Sequence, residues 1–131
     1  MTAQTMQIGN RPCRIYGEAH AEYLLLQMTG EHEQQSMDNE VDAIAQSSRK
    51  YLFAAIPVES WNDALSPWEA PAVWGKQGFG GNAADTLRFL TEQVIPTLNQ
   101  QYPLPANVKI ILGGYSLAGL FALWASTQTD L

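Results

Sequence analysis

One cysteine, Cys13, is the only thiol in this chain, so no internal disulfide can form, and a reducing cytoplasm is the compartment that fits. Basic residues are scarce as well. Seven Lys and Arg, scattered rather than clustered, stand against thirteen Asp and Glu, for a net charge of −6 and a pI near 4.7. The average field of such a surface repels phosphates, which argues against a nucleic-acid partner. No apolar run approaches the roughly 20 residues of a membrane span. The start, Met1 to Gln7, has neither the basic region nor the apolar core of a secretory signal. No membrane partner is expected. Histidine is nearly missing: His20 and His32 are the two present, and none follows. No Cys/His/Asp spacing resembles a metal site, and Gly78-Phe79-Gly80-Gly81 lacks the lysine of a phosphate loop. Neither a metal nor a cofactor is expected.

What is present is an ordinary globular mixture, 46% apolar and 15% charged over 131 residues. That is one domain's worth of chain, although α/β enzymes often occupy roughly 200–250 residues in a single domain. The expectation is therefore one incomplete α/β domain over 1–131. Met6 to Ile8 and Pro12 to Tyr16, split by Gly9-Asn10, read as an antiparallel hairpin. Glu22 to Met28 and Tyr51 to Ile56 are apolar enough for buried central strands, the second closed by Pro57. Between them, Ser36 can cap a helix running to about Ser48, with Met37, Val41, Ile44 and Ala45 on one face. A long aperiodic stretch from Pro57 to Gly81 carries Trp61, Trp68 and Trp74. Asn82 with Asp85 three residues on resembles a capping box for a helix whose apolar face is Leu87, Leu90, Val94 and Leu98, and Pro96 predicts a kink in it. The strand at Val108 to Leu112 and the helical pattern from Leu117 to Trp124 complete a strand–helix alternation. Such an alternation predicts a predominantly parallel sheet with flanking helices and an antiparallel start.

The chemistry is concentrated in Gly114-Tyr115-Ser116-Leu117-Ala118-Gly119. A sharp strand-to-helix turn brings backbone and side chains close together, so it needs minimal residues before and after the serine, which Gly114, Ala118 and Gly119 supply. The serine hydroxyl then stands exposed at the end of the sheet.

The segment Ile110-Ile111-Leu112-Gly113-Gly114-Tyr115-Ser116-Leu117-Ala118-Gly119-Leu120-Phe121-Ala122-Leu123 resembles the nucleophile-elbow region of α/β-hydrolases. Within them it is most similar to bacterial esterases related to esterase D and enterochelin esterase. The resemblance covers the order of elements from about Tyr23 onward, with motif detail only around Ser116. It implies Ser116 as nucleophile and an oxyanion hole formed by the N–H of Leu117 and a second N–H near Thr29. It also implies that the acid and the general-base histidine of the triad lie beyond Leu131. Two positions depart from the pattern: Ala118 stands where glycine is usual, and Gln27-Met28-Thr29-Gly30 stands where the oxyanion loop usually opens with His-Gly.

Beside the elbow, other residues have plainer readings. His32, between Glu31 and Glu33 at the rim of a central strand, is either a base facing Ser116 or a solvated surface histidine. His20 sits in a turn at the opposite end. Glu59 and Asp63, which follow a strand at the catalytic rim, line a pocket or are solvated loop carboxylates. Trp61 and Trp68, with Trp74, form an acyl-binding wall or a small core under a long loop. Cys13 reads as a small buried apolar residue. The expectation is a serine hydrolase acting on a small carboxylic ester through an acyl-enzyme on Ser116, in a chain that on its own is truncated and inactive. The alternative is a non-catalytic module that binds a small ligand or self-associates through the sheet edge left bare by the Val108 strand, giving a homo-oligomer.

Overall fold

A two-residue tip, Gly9-Asn10, turns the first segment back on itself. Strand β1 (Ala3–Ile8) pairs antiparallel with β2 (Arg11–Gly17), closing with Ile8 opposite Arg11. The computed structural model describes residues 3–30, 50–73 and 75–129. His32, the helix expected from Ser36, Trp74 and Asp130 lie outside the described residues.

The central strands are β3 (Tyr23–Thr29) and β4 (Tyr51–Pro57). Every residue of β4 except Pro57 is buried, as expected for a strand covered on both faces. After β4 come a short helix α1 (Trp61–Leu65) and a two-stranded ribbon, β5 (Glu69–Ala70) with β6 (Phe79–Gly80), so the aperiodic stretch is folded rather than open. Helix α2 (Ala83–Phe89) runs through a π-helical stretch (Leu90–Val94) into α3 (Ile95–Gln101). Strand β7 (Lys109–Gly113) and helix α4 (Leu117–Ser126) follow.

The large sheet has the order β1-β2-β4-β3-β7. Its first two pairings are antiparallel, and β4 with β3 and β3 with β7 are parallel. The architecture is the α/β one expected, with flanking helices and an antiparallel start, and the described sheet is mixed, its pairings divided equally between antiparallel and parallel. One face, through Leu24, Leu26, Met28, Leu52 and Ile56, packs against Leu65, Leu90, Val94, Leu98 and Phe121 of the helices. Each fully buried aliphatic side chain there contributes about 1.5–3 kcal/mol. The opposite face buries Tyr16, Phe53 and Ala55, with Tyr16 set edge-on to Phe53 at 6.0 Å between ring centroids.

One local expectation is corrected, and another takes a specific form. Asn82 makes no side-chain cap. Its N–H is taken by the Asp63 carbonyl at 2.8 Å, which pins it at φ −97°, ψ 19°, outside the extended conformation that capping uses. Asp85 pairs instead with Arg88 at 3.2 Å. Pro96, for its part, is accommodated by widening. It has no N–H and crowds the carbonyl four residues back, and the preceding turn opens into the π form, with the Ile95 N–H reaching the Leu90 carbonyl. Leu87, Leu90, Val94 and Leu98 remain on the buried side throughout.

Candidate active site

Between the end of β7 and the start of α4 the chain reverses within three residues, Gly114, Tyr115 and Ser116. Ser116 is held at φ 57°, ψ −125°. A residue with a Cβ pays roughly 1–3 kcal/mol for such a conformation and keeps it only where the surroundings over-determine it. Here they do. A Cβ on Gly114 would lie 2.4 Å from both the carbonyl carbon and oxygen of Ala118, so the two chain segments touch where Gly114 has no side chain. Ala118 is fully buried, which leaves no slack on that side. The Ala118 N–H donates to the Tyr115 carbonyl at 3.1 Å and the Gly119 N–H to the Ser116 carbonyl at 3.0 Å, fixing the turn from the helix side.

Serine at the start of a helix ordinarily folds its hydroxyl back onto an N–H of the first turn. Ser116 makes no such bond, because its positive φ swings the side chain away from the helix. The residue is exposed. Of the first-turn N–H groups of α4, those of Ala118, Gly119 and Leu120 are taken by the Tyr115 and Ser116 carbonyls, which leaves the Leu117 N–H as the donor at the positive end of the helix dipole. The Ser116 hydroxyl and the Leu117 N–H therefore share one corner of the sheet rim.

Strand β3 lies between β4 and β7, so the strand order reverses there, and the crevice at the C-terminal ends of such strands is where ligands sit in open α/β sheets. Gln27 is in register with Gly113, which carries Thr29 to the same rim as the β7–α4 turn. Thr29 is fully buried, its carbonyl accepts the Val58 N–H at 2.9 Å, and its Oγ1 has no hydrogen-bond partner among the described residues. A buried hydroxyl left unpaired costs about 1–3 kcal/mol. Sequence reasoning pointed to Thr29 for its N–H and missed the hydroxyl; a polar residue at the end of a strand read as buried was the available signal.

The other expected residues separate. Glu59 lines a cavity of about 550 Å³ next to the β1–β2 hairpin tip. Trp61 is half-buried against the main core, and Trp68 is 61% exposed. The Asp63 carboxylate sits where a Cβ on Gly80 would be, within α1's contact with the small ribbon. His20 donates its backbone N–H to the Pro103 carbonyl at 2.8 Å just before β3, at the opposite end of the sheet from Ser116. Cys13 is buried, and burial pushes its thiol up to about 11, opposed in part by the Arg11 charge. That thiol is protonated and inert at neutral pH.

Comparison with solved structures bears on the fold. The chain superposes on an IroE-like serine hydrolase from Shewanella oneidensis with a TM-score of 0.72 at 17% identity, covering 95% of this chain and 46% of that one. The siderophore hydrolases EstB and EstA from Aspergillus nidulans match with TM-scores of 0.64 and 0.57, at 16% and 19% identity. Each covers 95% of this chain, and the chain covers 50% and 51% of theirs. No family model matches the chain, and neither does any curated protein sequence. At these identities the likeness establishes only that the chain shares the fold of the matching part of these structures, and the chain spans about half their length. No described helix is long and apolar enough to cross a membrane.

Proposed function

We propose that Ser116 is the nucleophile of a serine hydrolase that cleaves small carboxylic esters through an acyl-enzyme, with the Leu117 N–H and a donor at Thr29 stabilising the oxyanion. The observation that carries this reading is the backbone of Ser116: a strained, positive-φ serine, uncapped and exposed, at the N-terminus of the helix that follows β7. A serine that only capped its helix would adopt negative φ and spend its hydroxyl on the first turn. The serine-hydrolase neighbours support the same chemistry at the level of fold. A serine hydroxyl attacks a carbonyl only when a base accepts its proton. The acid and base that complete the site are proposed to come from chain beyond Leu131, so the 131-residue chain by itself holds the nucleophile and oxyanion donors and turns over little or no ester. A serine lacking its base retains only the catalysis of binding and oxyanion stabilisation.

The test is ester hydrolysis with p-nitrophenyl acetate by a polypeptide that continues this chain past Leu131. Acetylation of Ser116 seen by mass spectrometry, with loss of both adduct and turnover in Ser116→Ala, is the expected result. Turnover that survives Ser116→Ala overturns the assignment.

A second reading has its own observation. Strand β7 is the last strand of the described sheet, and Ile111 on it, Leu120 and Leu123 on α4, and Tyr115 in the turn are exposed. Unpaired strand edges recruit further strands. On this reading the chain self-associates through β7, and Ile111→Lys returns it to a monomer in sedimentation equilibrium. A concentration-independent monomer for the unmodified chain rejects it.

A further inference from the structure

The rim that carries Ser116 has a concavity at its other end. The cavity of about 550 Å³ lies between the hairpin tip, the start of α1, and the junction of α2 with the π-helical stretch, and its size is that of a small-molecule site. Arg11 is the one cationic residue lining it. The guanidinium sits 4.3 Å above the Phe89 ring, and its Nη1 donates to the Pro57 carbonyl at 3.3 Å. These two contacts fix the plane and the tilt of the fork. Among the described residues no carboxylate pairs with it, although Glu59 lines the same cavity. A guanidinium held in place with donors unspent is organised for bidentate capture of a carboxylate, and the ordering cost that normally weakens such a contact has already been met in folding.

The remaining lining narrows the ligand. Glu59 places a negative charge in the same space, so a second acidic group on the ligand is repelled while an ammonium group is attracted. Gln93, from the π-helical stretch, offers both an amide donor and an acceptor, and Phe89 offers an apolar ring. Gly9 brings the hairpin tip tightly against this wall: a Cβ there would lie 3.0 Å from Phe89 Cε1 and 3.1 Å from Gln93 Oε1. The π-helical turn that presents Gln93 is a geometry that recurs at binding sites.

We propose that this cavity binds a small amino-carboxylate of the free α-amino acid type, with Arg11 holding the carboxylate and Glu59 the ammonium group. The site is separate from Ser116 and stands whether or not Ser116 is a nucleophile. The experiment is an amide NMR titration of the chain with leucine, glutamine and phenylalanine, with succinate and cadaverine as the one-sign probes. Saturable shifts at Gly9, Asn10 and Gln93 with at least one amino acid, and weaker or absent shifts with succinate and cadaverine, are expected. Arg11→Gln should weaken amino-acid binding about ten- to hundredfold, the worth of a charge-assisted contact. Because Arg11 also packs on Phe89, exposed Glu59 provides the variant that does not depend on folding: Glu59→Gln should reverse the preference, weakening the amino acid and admitting succinate. No saturable shift with any amino acid, preferential binding of succinate or cadaverine by the unmodified chain, or an unaltered preference in Glu59→Gln overturns the proposal.

Discussion

Replacing Gly114 with alanine tests the geometry of the elbow at its tightest point. The added methyl would lie 2.4 Å from the Ala118 carbonyl carbon and oxygen and 2.8 Å from its Cβ, against the 3.4 Å or more of ordinary contact. Relief needs a displacement of about 1 Å. Neither side can supply it: Ala118 is fully buried, and the Ala118 and Gly119 N–H groups tie the helix start to the turn. Forcing a methyl group into a packed site of this kind costs about 1–3 kcal/mol, and the upper part of that range applies because backbone atoms must move. Gly119→Ala is the internal control, since its Cβ would meet the Gly114 carbonyl only, at 3.3 Å from the oxygen and 3.8 Å from the carbon, and a helical Gly→Ala change gains about 1 kcal/mol in propensity. In urea unfolding followed by circular dichroism, Gly114→Ala should lower the midpoint by about 1 M and Gly119→Ala should leave it level or raise it. Equal midpoints for Gly114→Ala and the unmodified chain would refute the argument, because a turn that absorbs that methyl group is not the turn described.

Two further outcomes follow from single residues. Ser116→Gly should stabilise the fold by about 1 kcal/mol, since glycine adopts φ 57° without strain, whereas at an ordinary helix start the same change is slightly destabilising; a drop in melting temperature would show that the serine is not strained. Cys13, whose thiol is raised from 9.0 to about 11, binds its proton more tightly folded than unfolded. Its contribution is complete below pH 9 and falls as pH rises toward 11, because the unfolded chain loses the proton first. The loss is at most about 2–3 kcal/mol, and it should vanish in Cys13→Ala when the two pH–stability curves are subtracted; parallel curves for the two proteins would refute it.

The elements that were legible in the sequence are those whose signal is local. Gly9-Asn10 between two short alternating segments specifies the hairpin, the apolar runs at Leu24 and Leu52 specify the buried strands, and small residues around Ser116 specify the elbow. What stayed hidden depends on partners far along the chain. Asn82 reads as a cap until the Asp63 carbonyl, 19 residues earlier, takes its N–H and fixes its backbone. Pro96 announces a distortion but not its form, because a kink and a widened π turn relieve the same clash and packing decides between them. The order β1-β2-β4-β3-β7 and the meeting of Arg11 with Pro57, 46 residues apart, come from non-local pairing that no local pattern encodes. The orphaned Thr29 hydroxyl is of the same kind, being a matter of what is absent around it in three dimensions.

The most direct measurement of the central claim is fluorophosphonate labelling of the chain, with modified serines mapped by mass spectrometry and exposed Ser60 as the reference. A hydroxyl poised beside the Leu117 N–H at the start of α4 should label faster than Ser60 even without a base, and Ser116→Ala should remove that adduct and no other. Labelling of Ser116 no faster than of Ser60 would contradict the account.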